Sequence, residues 1–201
     1  MNTAPRYEFR AFAPGFGIVE RRLRDGGELT GIRESQEVYL VSRNSGAYNV
    51  KFRNQQLDIK KRIEQTEELE LWEPHVKMDL PLEADKLCKL LVPALGIEEQ
   101  SLAATGELGL CGLIGALNRQ CPEIVIVDLF KRRFGFEVGD CLAELAEVRI
   151  NGASIQTVCI ESTHPASLKR LAYTLGLDAY KNVNYVRALQ RVTGLIRQPL
   201  F

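Results

Sequence analysis

The sequence predicts an α+β fold in which antiparallel strands curl around a basic cavity and helices flank them. Three observations carry this. Charged and apolar residues alternate at a period of two in several short segments, which is the signature of strands with unlike faces. Cations recur at two-residue spacing in separate strands, at Lys51 and Arg53 and again at Lys131 and Arg133. Leucines at helical spacing then follow groups of strands.

Arg6 to Phe12 opens the chain as a strand with Arg6, Glu8, Arg10 and Phe12 on one face and Tyr7, Phe9 and Ala11 on the other. Pro14, Gly15 and Gly17 break it, and Val19 to Arg24 reads as a surface helix or turn ending at Asp25, Gly26 and Gly27. Glu37 to Ser42 is a second strand of continuous apolar character, closed by the Asn44, Ser45, Gly46 turn. Asn49 to Arg62 then supplies two strands joined by a polar turn. Lys51 and Arg53 oppose Val50 and Phe52, while Asp58, Lys60 and Arg62 oppose Leu57 and Ile59. Alternation of this kind ordinarily sends cations into water. Its recurrence is what favours faces that look inward.

Glu70 to Leu82 alternates again, with Lys77 beside His75 and with Pro74 placing an edge or bulge there. Ala84 to Leu95 changes period, carrying Leu87, Leu90, Leu91 and Leu95 as a helix stopped by Gly96. Ser101 to Leu117 is small, Gly-rich and apolar, a weak helix or packed loop. The second half, about residues 122 to 201, resembles the first, about 1 to 96, in running strands first and helix last. Glu123 to Phe136 is the longest strand, Cys141 to Ile150 the next, with Glu144 and Glu147 on opposite faces. Asn151 and Gly152 mark a hairpin into Ile155 to Ser162. Helices at Pro165 to Leu175 and Asn184 to Gly194 complete a single domain over 1 to 201.

Composition narrows the function. The 26 basic and 26 acidic residues cancel, so overall charge supports neither a nucleic-acid nor a membrane partner, and any anion site must be local. The five cysteines lack any Cys-x-x-Cys pair, which argues against a disulfide framework or zinc knuckle and fits a reducing cytoplasm. No apolar run approaches the roughly twenty residues of a membrane span. His75 and His164 are the only histidines and suggest no catalytic triad.

Val50 to Arg53 with Leu57 to Lys60, then Phe130 to Phe134, then Val148 to Gly152 leading into Thr157 to Ser162 and the helix ending Leu175 to Leu177, give an ordered pattern. In that order the chain resembles the CYTH superfamily, the triphosphate tunnel metalloenzymes, roughly from Arg6 to Gly194. Asn184 and Tyr185 stand where that family often has a Ser-Tyr pair. The resemblance implies a closed antiparallel tunnel of about eight strands with flanking helices. It also implies a small polyphosphate or nucleoside triphosphate ligand, held by Arg10, Lys51, Arg53, Lys60, Lys77, Lys131 and Arg133. Lys and Arg neutralise phosphate oxygens directly. A divalent ion, Mg2+ or Mn2+, would be held by Glu8 and Glu161 with Glu144 or Glu147, and Glu8 and Glu161 would then be catalytic.

Two departures bear on that expectation. The family's Glu-x-Glu-x-Lys strand reads Arg6, Tyr7, Glu8, Phe9, Arg10 here, and its late Glu-x-Glu reads Cys159, Ile160, Glu161. One carboxylate of each pair is lost, and a thiol is a soft donor that Mg2+ does not favour. Three functions therefore stand open: a metal-dependent triphosphatase or, as in some members, a nucleotide cyclase; an anion-binding protein without turnover; and an interaction domain whose charges face solvent. The sequence leaves the oligomeric state open, a homodimer included.

Overall fold

A computed structural model describes residues 4–66, 68–98 and 105–200. Eight strands close into an antiparallel barrel. They are β1 (Arg6–Ala13), β2 (Glu28–Val41), β3 (Tyr48–Arg53), β4 (Gln56–Gln65), β5 (Glu70–Asp79), β8 (Val125–Val138), β9 (Cys141–Ile150) and β10 (Ala153–Ser162). Around the barrel the order is β1-β10-β9-β8-β2-β3-β4-β5, and β5 returns to β1 through the pairs Arg6 with Trp72 and Glu8 with Glu70. Strands from both sequence halves thus share one wall. The short strands β6 (Leu82–Glu83) and β7 (Glu107–Leu108) pair outside it.

Period-two alternation sorts the core. Outward residues of β1, β8, β9 and β10, among them Phe9, Phe134, Leu145 and Ile160, pack with Val19 and Leu23 of α1 (Ile18–Gly26) and Leu168 and Leu171 of α4 (Pro165–Leu175). Outward residues of β2 to β4, Leu40, Val50, Phe52, Leu57 and Ile59, pack under α2 (Ala84–Leu95) and α3 (Leu110–Gln120). Truncating one such buried leucine costs about 2–5 kcal/mol. Inside, Phe12, Tyr39, Val41, Val127, Leu129 and Val148 meet Tyr185, Ala188 and Leu189 of α5 (Tyr185–Val192), which closes one end of the barrel. Gln190 fixes that closure by donating to the carbonyls of Ser42, Arg43 and Ser45 in the β2–β3 turn. The other end remains open.

Several expected boundaries move. The second strand begins at Glu28 rather than Glu37, because β2 pairs with β8 along its whole length through residues whose alternation is masked by Gly31 and exposed polar groups. Part of the expected Ser101–Leu117 segment folds as β7 and α3, while residues 101–104 lie outside the described residues. The predicted bulge at Pro74 is present as a register shift, Ile59 facing Val76 and Lys60 facing Pro74. The Asn151-Gly152 hairpin has positive φ at both positions, 46° and 92°, as a type I′ turn requires. Asn54 and Gln55 do the same at 51° and 59° without glycine, at the open end of the barrel. No helix among the described residues is long and apolar enough to cross a membrane.

Candidate functional site

Barrel closure turns the charged strand faces inward. On β2 the inward residues are Arg33, Ser35, Glu37 and Tyr39; on β8, Lys131 and Arg133; on β3 and β4, Lys51, Arg53, Asp58, Lys60 and Arg62. Cross-strand registry then sets their neighbours, since opposed residues on one face lie within side-chain reach. Tyr39 faces Lys51, Lys51 faces Asp58, and Asp58 faces Lys77.

Glu37 is the node of the tunnel interior. Its carboxylate has no exposed side-chain surface and lies 3.3 Å from Lys131, 3.6 Å from Lys51 and 3.5 Å from Arg53. Tyr39 donates its hydroxyl hydrogen to Glu37 at 2.9 Å, and Ser35 donates at 3.2 Å. Burial alone would raise the Glu37 pKa, but Lys131, Lys51 and the Tyr39 hydroxyl outweigh it and hold the carboxyl well below its usual range. Lys131 shows the converse. Burial, opposed by Glu37 and reinforced by Lys51, lowers its pKa to about 7. Its ammonium also sits 3.7 Å from the Tyr185 ring centroid, a cation–π contact supplied by α5.

A second group is acidic. Glu8 on β1 faces Glu161 on β10, and Arg10 faces Cys159, which faces Glu144 on β9. Ligand atoms of Glu8, Cys159 and Glu161 all fall within 4.8 Å of one another. Each carboxylate already has a cation: Arg10 Nε is 2.9 Å from Glu8, Arg10 Nη1 is 3.6 Å from Glu144, and Arg6 Nη1 is 3.7 Å from Glu161. For Glu8, burial pushes the pKa up but Arg10 and Lys60 prevail and lower it; for Glu161, burial and the Glu8 charge prevail over Lys60 and raise it. Burial raises the Cys159 thiol well above its ordinary pKa, and its sulfur is a soft donor. The set is a poor match for Mg2+, which wants several hard oxygen donors in octahedral array.

At the open end the balance is different. Arg33 and Arg133 are direct register partners on the same face of β2 and β8, and neither has a carboxylate within 4.0 Å among the described residues. Arg133 donates to Ser35 at 3.3 Å, while its Nε is buried without a hydrogen-bond partner. The two arginines border a cavity of about 630 Å³ that Arg53, Gln56 and Lys77 also line. They border a second cavity as well, of about 400 Å³, reaching Phe136, Leu142, Glu144, Cys159 and Glu161.

Of the expected cations, Arg10, Lys51, Arg53, Lys60 and Lys131 thus face the interior among acids, Arg133 faces it beside Arg33, and Lys77 lies at the exposed rim. Lys60 is held near Glu161 and Glu8, which raise its pKa against the effect of burial. Of the two alternatives on β9, Glu144 faces inward and meets Arg10. Glu147 faces outward, in a cleft with Arg132 and Arg149, and shares no site with Glu8. Sequence reasoning missed Glu37, Glu70, Arg33, Arg6 and Tyr185 as interior groups. The first two sit in segments rich in apolar residues. Glu70, buried, accepts from Arg62 at 2.7 Å, from Trp72 and from Asn184 at the start of α5. None of Cys88, Cys111, Cys121, Cys141 and Cys159 forms a disulfide among the described residues.

No protein-family model matches the sequence, and no curated protein matches it. Solved structures do match. HpAC1 from Hippeastrum, which has a dominant triphosphatase activity, superposes with a TM-score of 0.55 at 14% identity, over 97% of this chain and 98% of that one. The PH1012 protein of Pyrococcus horikoshii gives 0.51 at 19% identity, over 90% of this chain and 97% of that one. At these identities the likeness is one of fold, the closed antiparallel barrel with its flanking helices.

Proposed function

From the CYTH-like tunnel fold of this chain, we propose that the protein binds a triphosphate, or a related organic or inorganic polyphosphate, at the open end of its basic tunnel. The observation that carries this is the Arg33–Arg133 pair. Like charges directly opposed across a sheet repel each other, and an anion between them converts that repulsion into charge-assisted hydrogen bonds. Arg53 and Lys77 line the same cavity and extend the cationic wall. The nearby Arg10, Lys51, Lys60 and Lys131 contribute field from deeper positions, their charge largely offset by buried acids.

Hydrolysis assisted by Mg2+ or Mn2+ is the second reading. The nearness of Glu8 and Glu161 supports it; the arginines already paired with both oppose it. Such an ion would be held by Glu8 and Glu161 and would add charge neutralisation at the transferring phosphoryl group.

Thermal melting with inorganic triphosphate, ATP and polyphosphate, each with and without Mg2+, tests the proposal, since a ligand that binds only the folded state raises the melting temperature. Stabilisation by a triphosphate that Arg133→Ala abolishes is the expected result. No stabilisation by any of the three would end this reading. Phosphate release only in the presence of Mg2+ or Mn2+ would select the second.

A further inference from the structure

We infer that the tunnel holds its anion without a divalent cation, because Arg6 and Arg10 already supply the positive charge that a metal would bring to Glu8, Glu144 and Glu161. The inference deepens the triphosphate-binding reading and rests on it. Arg10 spans two of the three carboxylates, Nε to Glu8 at 2.9 Å and Nη1 to Glu144 at 3.6 Å. Arg6 takes the third, Nη1 to Glu161 at 3.7 Å.

Arg10 is also fixed from every side. It is only 6% exposed, its guanidinium lies 4.4 Å from the Tyr185 ring centroid, and Nη1 reaches Thr157 at 3.5 Å. Its backbone N–H donates to Asn182 at 2.9 Å, and its carbonyl accepts from Val183 at 2.7 Å. Moving this side chain aside to admit a dication would break its contacts to two acids, one ring and one hydroxyl. An ion entering between Glu8 and Glu161 would face the charges of Arg6, Arg10 and Lys60 at short range, with little solvent to screen them. Its nearest further donor would be the sulfur of Cys159, which is soft.

The charge pattern has a positive counterpart. Because the acids inside the barrel are matched by built-in cations, the charge left over for a ligand is that of Arg33, Lys77 and Arg133 at the mouth. Mg2+ in solution then competes for the phosphate oxygens instead of bridging them to the protein.

The test is calorimetric titration of the full chain with inorganic triphosphate, once in EDTA and once in Mg2+, together with titration of Mn2+ alone followed by electron paramagnetic resonance. The expected result is an affinity in EDTA equal to or up to about threefold better than in Mg2+, with no protein-bound Mn2+. An affinity at least about tenfold weaker in EDTA, or stoichiometric binding of Mn2+ by the unaltered chain, would overturn the inference. Absence of triphosphate binding in both buffers would instead defeat the underlying reading of the tunnel. The double variant Arg6→Glu, Cys159→Glu is expected to acquire Mn2+ binding and a metal requirement for triphosphate. If it fails to fold, Arg6→Gln, at the partly exposed rim position, is expected to bind Mn2+ measurably while keeping the native circular dichroism spectrum. A folded variant of either kind that binds no Mn2+ would show that these residues are not what excludes the ion.

Discussion

The ammonium of Lys131 lies 3.3 Å from the carboxylate of Glu37, and the two side chains retain 4% and 0% of their surface. The pair joins β2 to β8 from inside the barrel. It also sets the protonation state of the tunnel floor.

Glu37→Gln is expected to destabilise the protein strongly. Lys51, Arg53 and Lys131 all converge on this carboxylate, and removing one partner of a buried pair leaves uncompensated charge at a cost of about 3–5 kcal/mol. A fall of more than about 6 °C in melting temperature would follow for a domain of this size. A shift within about 1 °C would show that the cations relax into solvent without cost.

Stability should depend on pH in two windows of the same sign. Glu37 has its pKa depressed on folding, so its contribution is present above the ordinary value of 4.5 and is lost as the pH falls below it. Lys131 also titrates lower in the folded state, at about 7 against an ordinary 10.5. Between those values the unfolded chain binds more protons, so stability rises with pH through the window. Urea denaturation from pH 6 to 10 should show that rise in the unaltered chain. Lys131→Met should flatten it; an unchanged slope would assign the titration to another group.

Arg133→Gln should separate binding from stability. Losing a charge-assisted bond of about 1.5–3 kcal/mol weakens triphosphate binding by roughly tenfold or more. Relief of the repulsion from Arg33, about 0.2–1 kcal/mol, should leave the melting temperature of the ligand-free protein equal or higher. Calorimetry and melting on the same sample check both. A variant less stable and equally tight would reverse the role assigned to this arginine.

The end of the tunnel closed by α5 depends on Glu70. Asn184 caps the helix by accepting from the Arg187 N–H at 2.9 Å, and its amide donates to Glu70 at 2.8 Å. Asn184→Ala therefore removes a cap worth about 0.5–2 kcal/mol and takes one of three donors from the buried Glu70 carboxylate, which keeps Arg62 and Trp72. A double-mutant cycle with Glu70→Gln should give a coupling of about 0.5–3 kcal/mol. Additivity within error would mean that strand and helix terminus act independently.

Alternation alone placed Lys51 and Arg53 opposite Val50 and Phe52, and Leu57 and Ile59 opposite Lys60, because a strand's side-chain period does not depend on what packs against it. Helix α2 and its stop were equally legible: leucine spacing and Gly96, whose φ of 62° suits a left-handed cap, are local signals. Glu37 was not legible. It opens a run whose other members are apolar, and only the closed barrel turns that face toward three cations.

Sequence by itself determined which residues share a strand face, where the turns fall, that charge must be localised rather than global, and which two acids of the expected metal set are missing. Tertiary structure decided which face looks inward, that Arg33 lies opposite Arg133, that Glu147 stands outside while Glu144 meets Arg10, and that Arg6 and Arg10 neutralise the remaining acids. Periodicity is a property of consecutive residues and is written into the chain. The pairing of charges depends on registry between strands as far apart as β1 and β10, and that registry exists only once the barrel has closed.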